Sequence, residues 1–359
     1  MTTVPVNTNP PYQILIGSGL LEQVGSLLRD LCPCQSVMLV CGDIVADLYA
    51  PRVRQALEQA GYQVHQFIYP HGEGSKTPET YLSLLRTMAQ CGMTRTDAVV
   101  ALGGGVTGDL AGFAAATILR GVRYVQIPTT LLAQVDSSVG GKVAIDLQAG
   151  KNLAGAFWQP SLVLMDPEVL ATLPDRDFAG GMAEGIKYGC IADRSFFDFL
   201  AAHPSRGAIT GEIESVLYTC CDIKRNVVEE DERDTGRRMI LNFGHTIGHA
   251  YELAGNYQTW THGEAVAAGM CAAAQMGFGL GVSGGDDNGI QTLMTLLTTF
   301  GLPTHIDCDW GSLTQAVGLD KKSAGDEITM IFLRQLGEAL PVTLKKDAVL
   351  ETLEALYGR

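Results

Sequence analysis

Residues 98–109 read Ala-Val-Val-Ala-Leu-Gly-Gly-Gly-Val-Thr-Gly-Asp: an apolar run, three glycines, and a stretch that opens a helix. The run Ala98–Leu102 predicts a buried strand. Glycines in the turn let backbone N–H groups approach a pyrophosphate, and a helix starting at Gly105, Val106, Thr107, Gly108 and Asp109 offers its partial positive charge. The spacing is not GxGxxG, so the standard dinucleotide fingerprint is absent. Taken alone, the turn is also open to reading as a tight connection that binds nothing.

On either side, Ser36–Cys41, Tyr62–Tyr69, Arg123–Ile127 and Ser161–Met165 predict further strands. Thr77 and Pro78 supply a helix cap and a first-turn proline, and Tyr81, Leu84, Leu85 and Met88 recur at helical spacing until Gly92. Strand, helix, strand in this order implies a parallel sheet with right-handed crossovers. Ligands gather at the carboxyl ends of such strands, and polar chemistry stands there: Asp43 after the first, His71-Gly72-Glu73-Gly74-Ser75-Lys76 after the second, Thr129 and Thr130 after Pro128. After Pro174 the predicted elements are helices over 177–190, 209–229, 243–253 and 262–281, with only Glu327–Leu333 strand-like. The expected architecture is an α/β dinucleotide-binding domain with a parallel sheet over residues 1–175 and a mainly helical metal- and substrate-binding domain over 176–359, with the active site in the cleft between them.

Composition narrows the function. Of 359 residues 46% are hydrophobic and 18% charged, as in soluble globular chains, and no run of eighteen apolar residues occurs. The polar stretch Met1–Pro11 lacks a signal-peptide pattern, so a cytoplasmic location is expected. Nine cysteines without a CxxC pair suggest small core residues, not a disulfide framework or thiolate zinc site. A net charge of −14 with no basic stripe argues against nucleic acid. An anionic substrate would therefore need cations gathered locally.

Two such gatherings are legible. His245 and His249 stand four apart, so a helix puts them on one face; His262 opens the next predicted helix, and Glu184 and Lys187 lie one turn apart in a glycine-rich helix. Three of the seven histidines within eighteen residues, with a glutamate, suit a divalent ion with an open position for substrate oxygens. Two imidazoles and a carboxylate favour zinc, although cobalt, manganese or iron would also fit. A helix tolerates the flanking glycines at a cost of about 1 kcal/mol each, which asks for a reason. Cations near glycine turns and in the helical half, among them Arg120, Lys142, Lys151, Lys224, Arg238 and the pair Lys321 and Lys322, suit phosphate and carboxylate recognition.

The ordered run GGGVTGDLAGFAAATILRGVRYVQIPTTLLAQVDSSVGGK, GKNLAGAFWQP, TLPDR, GMAEGIKYG, NFGHTIGHAYE and HGEAVAAGM resembles the 3-dehydroquinate synthase family, the cyclases of the shikimate pathway that leads to the aromatic amino acids. The likeness extends from about Asp43 to Lys322. It implies a homodimeric carbon–oxygen lyase that converts 3-deoxy-D-arabino-heptulosonate 7-phosphate to 3-dehydroquinate and phosphate. The steps it implies are transient oxidation by tightly held NAD, phosphate elimination, return of the hydride and aldol closure.

The implied cofactors are NAD and one divalent metal, zinc or cobalt, the metal held by Glu184, His245 and His262. NAD contacts would be Asp43, the His71–Lys76 segment, Gly105 to Asp109, Thr129, Thr130, Lys142, Lys151, and Val169, Leu170, Ala171 and Thr172. Substrate contacts would be Arg120, Asp136, Lys142, Asn152, Lys187, Lys224, Arg238, Asn242, His249 and Lys321 or Lys322. Of these, Lys142, Lys187, Arg238 and Asn242 are the expected catalytic partners of His249, whose ordinary pKa near 6.5 suits proton transfer.

The chain departs from the family pattern at Asp146, within a stretch that is Asn-His-Pro in many relatives, and at Asp234, where a glutamate is expected. Competing readings are another sugar phosphate cyclase, acting on sedoheptulose 7-phosphate or making 2-deoxy-scyllo-inosose, a metal-dependent polyol dehydrogenase, and a non-enzymatic NAD-binding regulator.

Overall fold

Val37, Leu39 and Cys41 pack on one side of a sheet, Met38 and Val40 on the other. That two-sided burial marks a parallel strand covered by helices on both faces. The computed structural model describes residues 1–283, 287–308, 311, 313–314, 323–324 and 326–357. Lys321 and Lys322 lie outside the described residues. The chain divides into two compact units, Met1–Leu173 with Lys224–Arg233, and Pro174–Ile223 with Asp234–Arg359.

In the first unit, β1 (Thr2–Val6) and β2 (Tyr12–Ile16) form an antiparallel hairpin, followed by α1 (Val24–Leu31), β3 (Ser36–Gly42), α2 (Asp43–Gln59), β4 (Gln63–Tyr69) and α3 (Pro78–Gln90). Next come β5 (Ala98–Gly103), α4 (Gly105–Thr117), β6 (Arg123–Pro128), a second antiparallel hairpin of β7 (Lys142–Leu147) and β8 (Gly150–Phe157), and β9 (Leu162–Met165). The main sheet has seven strands in the order β1-β2-β9-β6-β5-β3-β4, all parallel from β2 onward. Helices α1 and α2 cover one face, while α3, α4 and the β7–β8 hairpin cover the other. The strand order reverses between β3 and β5, and their carboxyl ends carry Asp43 and the glycine turn. A crevice at such a reversal is where open α/β sheets bind ligands. The Thr77 side chain accepts the Thr80 N–H to start α3, as its Thr-Pro pair predicts.

The local pattern predicts neither hairpin. Pro5 interrupts the strand pattern of β1, which tolerates it because β1 is an edge strand.

The second unit begins with α5 (Asp175–Ala192), α6 (Arg194–Ala202), α7 (Arg206–Ile209) and α8 (Ile213–Glu230), and the end of α8 from Lys224 groups with the first unit. The single helix expected over 209–229 is thus broken by a 3-10 turn, Thr210–Glu212, with the weak helix former Gly211 at its centre. After α9 (His245–Ala254), α10 (His262–Gly279) and α11 (Asp287–Thr299) come β10 (Ser323–Ala324), β11 (Glu327–Gln335), β12 (Glu338–Lys345) and α12 (Lys346–Tyr357). The expectation of one strand here is corrected to an antiparallel sheet, β10-β11-β12. Pro341 disguises β12 and sits on its edge. Ile247, Tyr251, Ala268, Met276, Met330 and Phe332 form the shared core of α9, α10 and β11. All nine cysteines are free and seven are buried.

Candidate functional site

At the glycine turn, close packing explains the glycines. A Cβ on Gly103 would stand 2.1 Å from Thr107 Oγ1, and one on Gly104 would stand 3.0 Å from Thr130 Cγ2. The first bond inside α4 runs from the Gly108 N–H to the Gly104 carbonyl at 3.0 Å, so the N–H groups of Gly105, Val106 and Thr107 precede the ladder. The Thr107 hydroxyl turns inward to Tyr69 Oη at 2.6 Å, which leaves only its backbone for a ligand.

Around this turn the first unit assembles a charged cluster. Lys76, 4% exposed, has its ammonium 2.5 Å from Asp109 Oδ2, 2.5 Å from Asn152 Oδ1 and 3.9 Å from Glu73 Oε1. Lys151 lies 3.6 Å from the same Glu73 oxygen. Burial works against the Lys76 charge, but the carboxylates of Asp109 and Glu73 outweigh it and raise its pKa. Burial pushes the Asp109 carboxyl up to about 6, with Lys76 pulling the other way.

Asp43 Oδ1 accepts the backbone N–H groups of Ile44 at 2.8 Å and His71 at 3.1 Å, and it pairs with His71 Nδ1 at 2.8 Å. The hydrogen bond from the His71 ring lowers its pKa. Lys224 donates to Asp136 at its carbonyl (2.7 Å) and Oδ1 (2.8 Å). Asp146 Oδ1 accepts the Asn152 N–H at 2.7 Å and the Asp146 N–H meets the Lys76 carbonyl at 2.8 Å, so Asp146 fastens the β7–β8 turn to the cluster. Asn152 itself holds φ +54, and Arg120 φ +67. Among the other expected contacts, Thr129 is buried and donates its N–H to the Gly103 carbonyl at 3.0 Å. Val169 and Leu170 are core residues, while Ala171 and Thr172 end their 3-10 turn exposed, Thr172 bonded to Tyr49. Lys142 and Arg120 are exposed.

In the second unit, glycine contacts bring three helices close. A Cβ on Gly263 would lie 2.3 Å from Gly180 Cα, and one on Gly269 would lie 2.1 Å from the Gly244 carbonyl. Gly244 precedes His245 in the left-handed region at φ +78, Gly263 follows His262, and Gly180 lies one turn before Glu184. The glycines that flank the candidate ligands are therefore the helix contacts that converge them. His262 is further fixed by a capping box in which Glu264 Oε2 accepts the Thr261 N–H at 2.8 Å, while Arg176 clamps both Glu264 oxygens at 2.7 Å.

Glu184 is fully buried. Its Oε2 is engaged by the buried Lys187 ammonium. Its Oε1 accepts no hydrogen bond and faces His245 Nε2 at 3.5 Å and His262 Nε2 at 3.6 Å. The second nitrogen of each ring is tied elsewhere, His245 Nδ1 at 3.2 Å from the Phe243 carbonyl and His262 Nδ1 at 3.4 Å from Glu252 Oε2. Rings held this way turn Nε2 inward, and in the neutral ring that nitrogen carries the lone pair a divalent cation requires. Burial disfavours a charged His262, yet Glu184 and Glu252 push its pKa up to about 10, so the position attracts positive charge. His249, 55% exposed, completes the ring cluster with its centroid 5.5 Å from that of His245. Arg238 is buried in the turn Arg237–Asn242, where the Asn242 amide donates to the Met239 carbonyl at 3.0 Å.

Two family models match, 3-dehydroquinate synthase N-terminal over residues 66–180 and 3-dehydroquinate synthase C-terminal over 181–323. The 3-dehydroquinate synthase of Clostridium beijerinckii is 43% identical over 330 residues, 91% of this chain and 93% of that one. The chain belongs to the 3-dehydroquinate synthase family. Among solved structures, a 2-deoxy-scyllo-inosose synthase complexed with carbaglucose-6-phosphate, NAD+ and Co2+ is similar at a TM-score of 0.89 and 28% identity, covering 99% of this chain and 100% of that one. ValA, a 2-epi-5-epi-valiolone synthase from Streptomyces hygroscopicus subsp. jinggangensis 5008 with NAD+ and Zn2+ bound, is similar at 0.87 and 25%, covering 97% of each.

In this member of the family, reading the sequence missed two groups at the site. Glu252 closes the run NFGHTIGHAYE without being singled out there, although its spacing of three from His249 and seven from His245 places it on their face of α9. Tyr69 ends β4, as the sequence suggests, and its hydroxyl also holds Thr107.

Proposed function

We propose that this chain is a 3-dehydroquinate synthase, a carbon–oxygen lyase that turns 3-deoxy-D-arabino-heptulosonate 7-phosphate into 3-dehydroquinate and phosphate. The observation that carries this reading is family membership across nine-tenths of both chains at more than 40% identity to relatives of that name. When bound, NAD supplies a hydride acceptor renewed within each cycle, and a divalent ion supplies polarisation of a substrate oxygen.

The protein's own part divides by unit. In the first, Asp43, the His71–Lys76 segment, Gly105 to Asp109, Thr129, Thr130, Lys151 and the Val169–Thr172 turn are the proposed cofactor contacts. Arg120, Asp136, Lys142, Asn152 and Lys224 are the proposed contacts to the anionic substrate. In the second, Glu184, His245 and His262 would hold the ion, and their donor set of one carboxylate and two Nε2 atoms fits zinc or cobalt. Lys187 pairs with the buried Glu184 carboxylate and so compensates its lost hydration. His249, whose side chain is more than half exposed, takes or returns a proton at a ring nitrogen, and Lys187, Arg238 and Asn242 orient substrate beside it. A cytoplasmic location and a homodimer are parts of the same proposal. No helix among the described residues is long and apolar enough to cross a membrane.

The test is phosphate release by metal-loaded enzyme from 3-deoxy-D-arabino-heptulosonate 7-phosphate, with sedoheptulose 7-phosphate assayed in parallel. Release from the carboxylated sugar alone, with 3-dehydroquinate formed and no net NADH, is the expected result. Turnover of sedoheptulose 7-phosphate alone would move the chain to the neighbouring cyclases, and net NADH would move it to the dehydrogenases.

A further inference from the structure

Glu252 is an expensive residue where it stands. It is 3% exposed, on a helix whose buried neighbours include Ile247, Ala250 and Tyr251. A carboxylate in such surroundings persists only with partners that compensate its lost hydration. Its Oε2 lies 3.4 Å from His262 Nδ1 and 3.9 Å from His249 Nε2. On its other side, the His262 ring points Nε2 at Glu184 Oε1, 3.6 Å away. Carboxylate, imidazole and buried acceptor thus follow one another in a chain of contacts, with a second imidazole 3.9 Å from the same Glu252 oxygen.

We propose that Glu252 is a positioning residue that acts through both histidines. By accepting from His262 Nδ1 it selects the tautomer whose Nε2 lone pair faces the ion, and it makes that nitrogen a stronger donor. The same oxygen stands 3.9 Å from His249 Nε2, an ion-pair distance and not a hydrogen bond, so one carboxylate faces both the group that binds the ion and the group that moves the proton. The inference rests on the proposed metal site and deepens it.

The experiment compares the full chain with Glu252→Gln and Glu252→Ala. Zinc affinity is read by competition with a chromophoric chelator, and the visible spectrum of the cobalt-loaded protein reads ligand geometry. Outer partners of this kind typically hold about 10- to 100-fold in metal affinity. Glu252→Gln keeps an acceptor oxygen without charge and is expected near the lower figure; Glu252→Ala is expected near the upper, each with an altered cobalt spectrum. Glu252→Gln keeps the side chain's size, so the test survives even if the alanine variant fails to fold. Unchanged zinc affinity and cobalt spectrum in a folded Glu252→Gln protein would overturn the inference and leave the metal site standing. The inference also fails if thermal stability drops equally with and without zinc while affinity holds. If the unsubstituted chain binds no zinc or cobalt at all, the metal site falls and the inference with it.

Discussion

Asp109 is a carboxyl group held by two opposed forces. Burial raises its pKa from the ordinary 3.8 to about 6, and Lys76 resists the rise. Between those values the folded chain keeps a proton that the unfolded chain has released. Stability therefore falls as pH rises through the window, the reverse of the usual carboxylate behaviour. At about 1.4 kcal/mol per pH unit, the group contributes at most about 3 kcal/mol of this slope. Asp109→Asn should remove it, so the difference in urea unfolding free energy between wild type and variant should change across the window and level off above it. Parallel curves would mean that another group holds the proton. At this scale the residue types of the site were legible, because charge and glycine are rare in apolar surroundings. Their partners were not: the Lys76–Asp109 contact joins residues in different elements, and Asp146 shows its use only once Asn152 is seen to donate to it.

The glycines of α5, α9 and α10 act between elements. A methyl group on Gly263 would stand 2.3 Å from both Cα and the carbonyl oxygen of Gly180, and backbone cannot step aside as a flexible side chain can. Gly263→Ala must therefore push α10 away from α5, carrying His262 from Glu184. The expected result is a loss of zinc affinity of more than about tenfold together with about 1–3 kcal/mol of stability, the range for overpacking. Gly207→Ala, where a Cβ would meet nothing within 4 Å, is the matched control. Equal zinc affinity in the two variants would show that the α5–α10 contact does not set the site. Helical period and strand runs made α3, α5, α9, α10 and the central strands readable in advance. The two N-terminal-unit hairpins and β12 escaped because their signal is pairing with a neighbour, and prolines at positions 5 and 341 break the local pattern that pairing overrides.

Taken whole, the chain carries a net charge of −14 yet buries Lys76, Lys187, Lys224 and Arg238. Each buried cation requires carboxylates or bound anions to offset its lost hydration, so the molecule has concentrated its scarce positive charge where ligands are proposed. The two units are proposed to hold different ligands, and this makes ligand-linked stability separable by position. A ligand at about a hundred times its Kd adds about 2.7 kcal/mol to the state that binds it, which slows exchange through that state's opening by about a hundredfold. Hydrogen exchange followed by mass spectrometry should show zinc slowing the amides of α5, α9 and α10, and NAD slowing those of β3, β5 and the start of α4. Chelation should reverse the first pattern and leave the second. Protection by zinc confined to β3, β5 and α4 would refute the assignment of Glu184, His245 and His262, because linkage requires that the stabilised amides belong to the opening that releases the ion.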